Sequence, residues 1–151
     1  MRNAMAMSLA ITALAAAALW AAPATAQTVS VHVVQVRASN EGGEFLDPLL
    51  LGLGDRIKRE YRQYRNFKRA GSDTEAGAVG QTLSFALLSG RTLTLTLDAL
   101  DGDQISMQAS VTRGNEAILN TALKVRKNRT VLIGVPNGDG KLILAITPTL
   151  K

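Results

Sequence analysis

The stretch Val131-Leu132-Ile133-Gly134-Val135-Pro136-Asn137-Gly138-Asp139-Gly140-Lys141-Leu142-Ile143-Leu144-Ala145-Ile146 decides the fold. Two apolar runs flank the turn chemistry of Asn137-Gly138-Asp139-Gly140, so the chain must reverse there. Neither run alternates apolar with polar, as a strand with one wet face would. Both are therefore expected near the centre of a sheet buried on both faces. Together with Ala117 to Val125, the end of the chain reads as strand, turn, strand, tight turn, strand.

Upstream of this stretch the pattern stays β. Ile105, Met107, Ala109 and Val111 line one face of a strand, and Leu119, Thr121, Leu123 and Val125 line one face of the next. Thr92 to Leu97 alternates threonine with leucine, so its leucines face a core and its threonines face water or a neighbour. Leu83 to Leu88 is a further strand. Ser89-Gly90, Asp101-Gly102-Asp103 and Gly114-Asn115 supply the turns. Turns recur at roughly the 8–12 residue spacing of a sandwich or barrel.

The beginning is more mixed. Thr28 to Ser39 reads as a strand, with Val29, Val31 and Val33 on one face and Val34 and Val36 on the other. That requires a bulge or burial on both faces. Asp47-Pro48 has the chemistry of a helix start, and Leu49, Leu50, Leu53 and Ile57 make a stripe on a helix fading near Glu60. Gly52 and Gly54 would weaken that helix and imply close packing on a sheet. A strand is expected from Tyr64, with Arg65, Phe67 and Arg69 on one face, followed by a polar loop from Gly71 to Gly80. The sum is a mainly β (α+β) fold: an antiparallel sandwich or sheet of about eight strands with one helix packed on it.

The chain has 151 residues, no cysteine and a formal net charge of +5. Arg2, the alanine-rich run Leu9 to Ala22 and the small residues Ala24-Thr25-Ala26 have the layout of a cleaved secretory signal. The apolar run is shorter than the ~20 residues of a membrane-spanning helix. Residues 1–26 are thus expected to be a signal peptide and residues 27–151 a single β-rich domain, periplasmic or secreted. Without disulfides its core alone must stabilise it.

Catalytic, metal and cofactor residues are not expected. His32 is the only histidine, which excludes a multi-histidine metal site, and no cysteine accompanies it. Asp98, Asp101 and Asp103 lack calcium-loop spacing, with Ala109 where the bidentate glutamate belongs. No serine sits in a G-x-S-x-G setting, and no glycine run has phosphate-loop spacing. Asn128-Arg129-Thr130 fits a glycosylation sequon and is read as a turn.

One stretch stands out by charge. Arg56, Lys58, Arg59, Arg62, Arg65, Lys68 and Arg69 face only Glu60, with Tyr61, Tyr64 and Phe67 interleaved. Such a run can be a solvated helix end with an edge strand guarded by charge. It can also hold phosphates and stack on rings. The candidate anion- or partner-binding residues are Arg62, Tyr64, Arg65, Phe67, Lys68 and Arg69.

Two resemblances bear on function. Lys127-Asn128-Arg129-Thr130-Val131-Leu132-Ile133-Gly134 with Leu142-Ile143-Leu144-Ala145-Ile146-Thr147-Pro148 resembles the end of the outer-membrane secretin domain, "G-x-T-V-x-x-G-G" followed by "L-x-x-x-I-T-P". Asn128 and Val135 stand where that pattern has glycines, and the linker is shorter. The layout Asp47-Pro48-Leu49-Leu50, Tyr64 to Phe67 and the closing hairpin is also similar to small secreted or periplasmic β-domains of proteobacteria, a family with no established activity. The resemblances imply a non-enzymatic envelope domain that serves protein interaction or assembly, related to secretion machinery. The alternative is a binder of polyanions or lipid headgroups through residues 56–69. A hydrolase without a visible site is a third class. An envelope protein is the expected partner, anionic lipid or glycan the alternative, and nucleic acid is not expected.

Overall fold

The computed structural model describes residues 27–50 and 52–151. The expected leader, residues 1–26, lies outside the described residues. The elements run β1 (Val29–Ser39), β2 (Phe45–Leu46), α1 (Gly54–Glu60), β3 (Asn66–Gly77), β4 (Thr82–Ala86), β5 (Arg91–Asp101), β6 (Gln104–Arg113), β7 (Glu116–Arg126), β8 (Val131–Asn137) and β9 (Gly140–Leu150). They form two sheets, ordered β2-β3-β1-β9-β8 and β4-β5-β6-β7. Every pairing is antiparallel except the short parallel one between β2 and β3. Among the described residues the chain adopts the expected mainly β fold, with one α-helix packed on the first sheet.

Two cores explain the unbroken apolar runs. The larger lies between the sheets and takes Val29, Val31 and Val33 from β1, Leu93, Leu95 and Leu97 from β5, and Leu142, Leu144 and Ile146 from β9. The smaller lies between the first sheet and α1, and takes Val36 and Ala38 from β1, Ile143 from β9, and Phe67 and Ile57. Successive strand residues point to opposite faces, so β1 and β9 feed both cores. Leu142 through Ile146 are all fully buried. The expectation of burial on both faces holds for β9. β8 also packs on both cores, through Ile133 and Val135 on one face and Leu132 on the other, but it closes the sheet as an edge strand instead of a central one, with Val131 and Leu132 only half-buried.

Of the two readings of Val29–Val36, burial on both faces is correct. β1 pairs with β9 without a break from Val29 to Ala38. The irregularity is on the neighbouring strand: Gln35 faces Gly71 and Val36 faces Arg69, leaving Ala70 as the extra residue of β3.

Three further expectations are corrected. The helix begins at Gly54, not at Asp47. Asp47 Oδ1 accepts the Leu49 N–H at 2.9 Å and closes a local turn, and Gly52 at φ +76° separates that turn from α1. Close packing does explain Gly54, where a Cβ would sit 2.9 Å from Leu46 Cδ2. The strand expected from Tyr64 begins at Asn66. The polar loop expected over Gly71–Gly80 is strand as far as Gly77, paired to β1 up to the Val29–Gly77 match. Most of its side chains reach water, so no hydrophobic period announces it.

Three hairpins share one loop chemistry. Gly102, Gly114 and Gly138 each take the first of two loop positions, at φ +61°, +59° and +60°. A positive φ at the first loop position matches strand twist, and glycine reaches it without a steric penalty. At one end of the sandwich, polar side chains tie the sheets together. Gln35 on β1 donates to Ala86 O at 3.0 Å and accepts the Leu88 N–H at 2.9 Å. Arg91, only 2 % exposed, donates to the carbonyls of Leu88 and Pro136 and, at 2.7 Å, to Asn137 Oδ1. Burial, and then the neighbouring Arg113 charge, lower its pKa.

Candidate functional site

The basic stretch leaves the last turn of α1, rounds a bend at residues 61–65 and enters β3. Its helical part is partly neutralised: Arg56 pairs with Glu60 at 3.0 Å and Lys58 with Glu44 at 3.5 Å. The third ion pair among the described residues, Lys127–Asp103, is remote in sequence. Arg62 and Arg65 are exposed and have no carboxylate within ion-pair distance among the described residues.

The aromatic part is mostly spoken for by the core. Phe67 is 1 % exposed and sits in the smaller core, so it offers no ring to a partner. This corrects its place among the candidate binding residues. Tyr64 and Tyr61 are half-buried against the same cluster. The Tyr61 ring covers Gly134 so closely that a Cβ there would lie 3.0 Å from its hydroxyl. Burial, and then the Glu60 charge, raise the Tyr61 pKa.

Lys68 and Arg69 part company because neighbours on a strand point to opposite faces. Arg69 shares the α1 side with its hydrogen-bond partner Ser72. Its backbone N–H donates to Asp47 Oδ2 at 3.1 Å. Together with the Leu49 N–H, which contributes more, this bond holds the Asp47 carboxyl below its usual range. Lys68 lies 5.9 Å from the centroid of the Phe45 ring, a cation–π distance.

On the Lys68 side the register adds a residue that the sequence alone does not single out. Arg37 of β1 is the cross-strand partner of Lys68. Both line a shallow depression with Ser39, Glu41 and Asn66. Arg37, Ser39 and Glu41 also border a wider cleft of about 540 Å³, whose far wall is the β8–β9 turn, Asn137 to Gly140. Arg37 brings positive charge to this cleft and Glu41 and Asp139 negative charge, so it suits a polar, mixed-charge surface. Only the pairing of β1 with β3 and β9 brings these segments together.

His32 is exposed on β1, with its Nδ1 2.8 Å from Thr74 Oγ1. Among the described residues no group of three or more His, Cys, Asp or Glu could hold a metal ion. Nor is any helix among them long and apolar enough to cross a membrane.

No family model matches this chain, and no curated protein matches it. Three solved structures are similar in part. The type II secretion system secretin GspD of E. coli K12 is 12 % identical, with a TM-score of 0.40 over 83 % of this chain and 49 % of that one. Aeromonas hydrophila ExeD is 12 % identical, with a TM-score of 0.40 over 83 % of this chain and 48 % of that one. The T2SS secretin XcpQ from Pseudomonas aeruginosa is 10 % identical, with a TM-score of 0.37 over 83 % of this chain and 58 % of that one. The chain spans about half the length of the chains it matches. At these TM-scores the likeness assigns no activity, ligand or partner to this chain.

Proposed function

We propose that this chain is a non-catalytic domain of a bacterial cell envelope, exported to the periplasm or beyond with loss of residues 1–26, and that it serves as a protein-interaction or assembly module related to secretion machinery. The observation that carries the reading is where the secretin-like residues fall. Thr130 to Gly134 and Leu142 to Pro148 are apart in the chain, yet Val131 pairs with Ile146 and Gly134 with Ile143. The two halves of the resemblance therefore lie side by side as one hairpin. The test is fractionation of the source cell followed by chemical crosslinking of its envelope. The expected result is a periplasmic or secreted chain beginning at Gln27 and crosslinked reproducibly to an envelope protein. Retention in the cytoplasm with residues 1–26 intact, or no reproducible crosslink, overturns the reading.

The exposed guanidinium groups of Arg62 and Arg65, without a carboxylate partner among the described residues, favour a second reading, in which the basic stretch, with Lys68 and Arg69 beside it, binds polyanions or lipid headgroups. Exposed cations of this kind act through screened Coulomb attraction, so binding should weaken steeply as ionic strength rises. Co-sedimentation with vesicles containing anionic lipid tests it. Arg62→Ser with Arg65→Ser should abolish binding at low salt, and unchanged binding overturns the idea.

A further inference from the structure

Each sheet ends in two edges, and three of the four are poor templates for another strand. β4 has only five residues. β8 carries Gly134 and Pro136. β3 is capped at its start by β2, interrupted at Ala70, and carries Gly71 and Gly77. Short length, proline and irregular backbone are the devices that blunt an edge. β7 has none of the first two: it runs for 11 residues with neither glycine nor proline. Its one irregularity, at Ile118, lies close to its start. Its outer side has no strand partner among the described residues.

The sequence of this edge, Glu116-Ala117-Ile118-Leu119-Asn120-Thr121-Ala122-Leu123-Lys124-Val125-Arg126, is complementary to itself when reversed. We infer that β7 pairs with β7 of a second copy of this chain, antiparallel, across a two-fold axis at Thr121. The axis sets Leu119 opposite the partner copy's Leu123 and Thr121 opposite its own counterpart. It also brings the Glu116 end of each strand to the Lys124–Arg126 end of the other. Opposite charges and apolar pairs facing one another across strands stabilise a ladder, and like charges destabilise it. Leu119 and Leu123 are half-buried against the larger core, and a second β7 covers their open side. Between Leu119 and Leu123, beyond the irregularity at Ile118, paired positions are both odd or both even, so over that span the apolar face of one sheet continues into the other. An interface of this kind presents the same patch from both subunits, as a two-fold dimer requires.

The inference deepens the assembly reading by naming a second copy as one partner, beside the envelope protein of that reading. Sedimentation of the chain over a range of concentrations should show a monomer–dimer equilibrium. Lys124→Glu with Arg126→Glu places like charges at both ends and should weaken the dimer by at least about tenfold. Adding Glu116→Lys to that pair should restore it. The chain has no cysteine, so Thr121→Cys introduces a lone thiol at the axis. Mild oxidation should then give a disulfide-linked dimer, whereas Ser106→Cys on the interior strand β6 should not. A chain that stays monomeric at all concentrations, or a dimer indifferent to the charge exchange and to the position of the thiol, overturns the inference. A monomer still crosslinked to an envelope protein overturns the self-pairing alone. A dimer with no other envelope partner overturns the broader reading alone.

Discussion

Arg91 is a cation 2 % exposed with no carboxylate within ion-pair distance among the described residues. What holds it is its planar fork of donors, spread over the Leu88 and Pro136 carbonyls and Asn137 Oδ1. The fork joins the start of β5 in one sheet to the end of β8 in the other. Arg91→Met keeps much of the volume and removes every donor, leaving those acceptors half-enclosed without partners. Unfilled acceptors of this kind cost about 1–3 kcal/mol, so urea unfolding should show a loss in that range. Arg91→Lys should recover only part of it, because an ammonium cannot reach three divergent acceptors. A variant as stable as the parent would show that the fork adds nothing. The burial was legible in one respect: Arg91 is in phase with Leu93, Leu95 and Leu97. Its partners were not, since they belong to turns that meet it only in the folded sandwich.

The β8–β9 hairpin shows how a short element constrains the chain around it. Gly138 needs a positive φ of +60° but has open space around it, whereas a Cβ on Gly140 would lie 2.3 Å from the Ala38 carbonyl oxygen. Gly138→Ala therefore bears a conformational cost of about 1–2 kcal/mol. Gly140 has no such φ, but Gly140→Ala must push β9 away from the end of β1, and overpacking against rigid backbone costs about 1–3 kcal/mol, occasionally more. Thermal melts should rank the parent above Gly138→Ala and that above Gly140→Ala; the reverse order would refute the close approach. The hairpin itself was readable because apolar runs and turn residues are local signals. The helix start was misread because Asp47-Pro48 chemistry serves a tight turn as well as it serves a helix, and Gly52 decided between them. The strand from Gly71 to Gly77 was invisible for a different reason. It is held by backbone pairing to β1, and backbone bonds leave no mark on side-chain periodicity. For the candidate site, the charge of residues 56–69 was plain. The burial of Phe67 and the pairing of Lys68 with Arg37 depended on register, which no local pattern specifies.

At the scale of the whole molecule, two cores share one pair of strands. Leu144 enters the larger core and Ile143, its neighbour on β9, enters the smaller one. Each is fully buried, and truncation of a buried leucine or isoleucine to alanine costs about 2–5 kcal/mol. Because a single strand carries both, loosening either core should loosen the other, and the chain should unfold as one cooperative unit. The chain supplies two convenient probes. Its one tryptophan, Trp20, lies within residues 1–26, so a chain prepared from Gln27 onward has Tyr61 and Tyr64 as its emitters, and both pack on the smaller core. Tyrosine fluorescence therefore reports the α1 side, and far-ultraviolet circular dichroism reports the sheets. Leu144→Ala removes contacts only from the larger core, yet it should lower the tyrosine and dichroism midpoints together and by the same interval. Ile143→Ala should do likewise from the other side. If Leu144→Ala shifted the dichroism midpoint and left the tyrosine midpoint in place, the α1 layer would be a separate unit. The continuous backbone of β1 and β9 would then not couple the two halves.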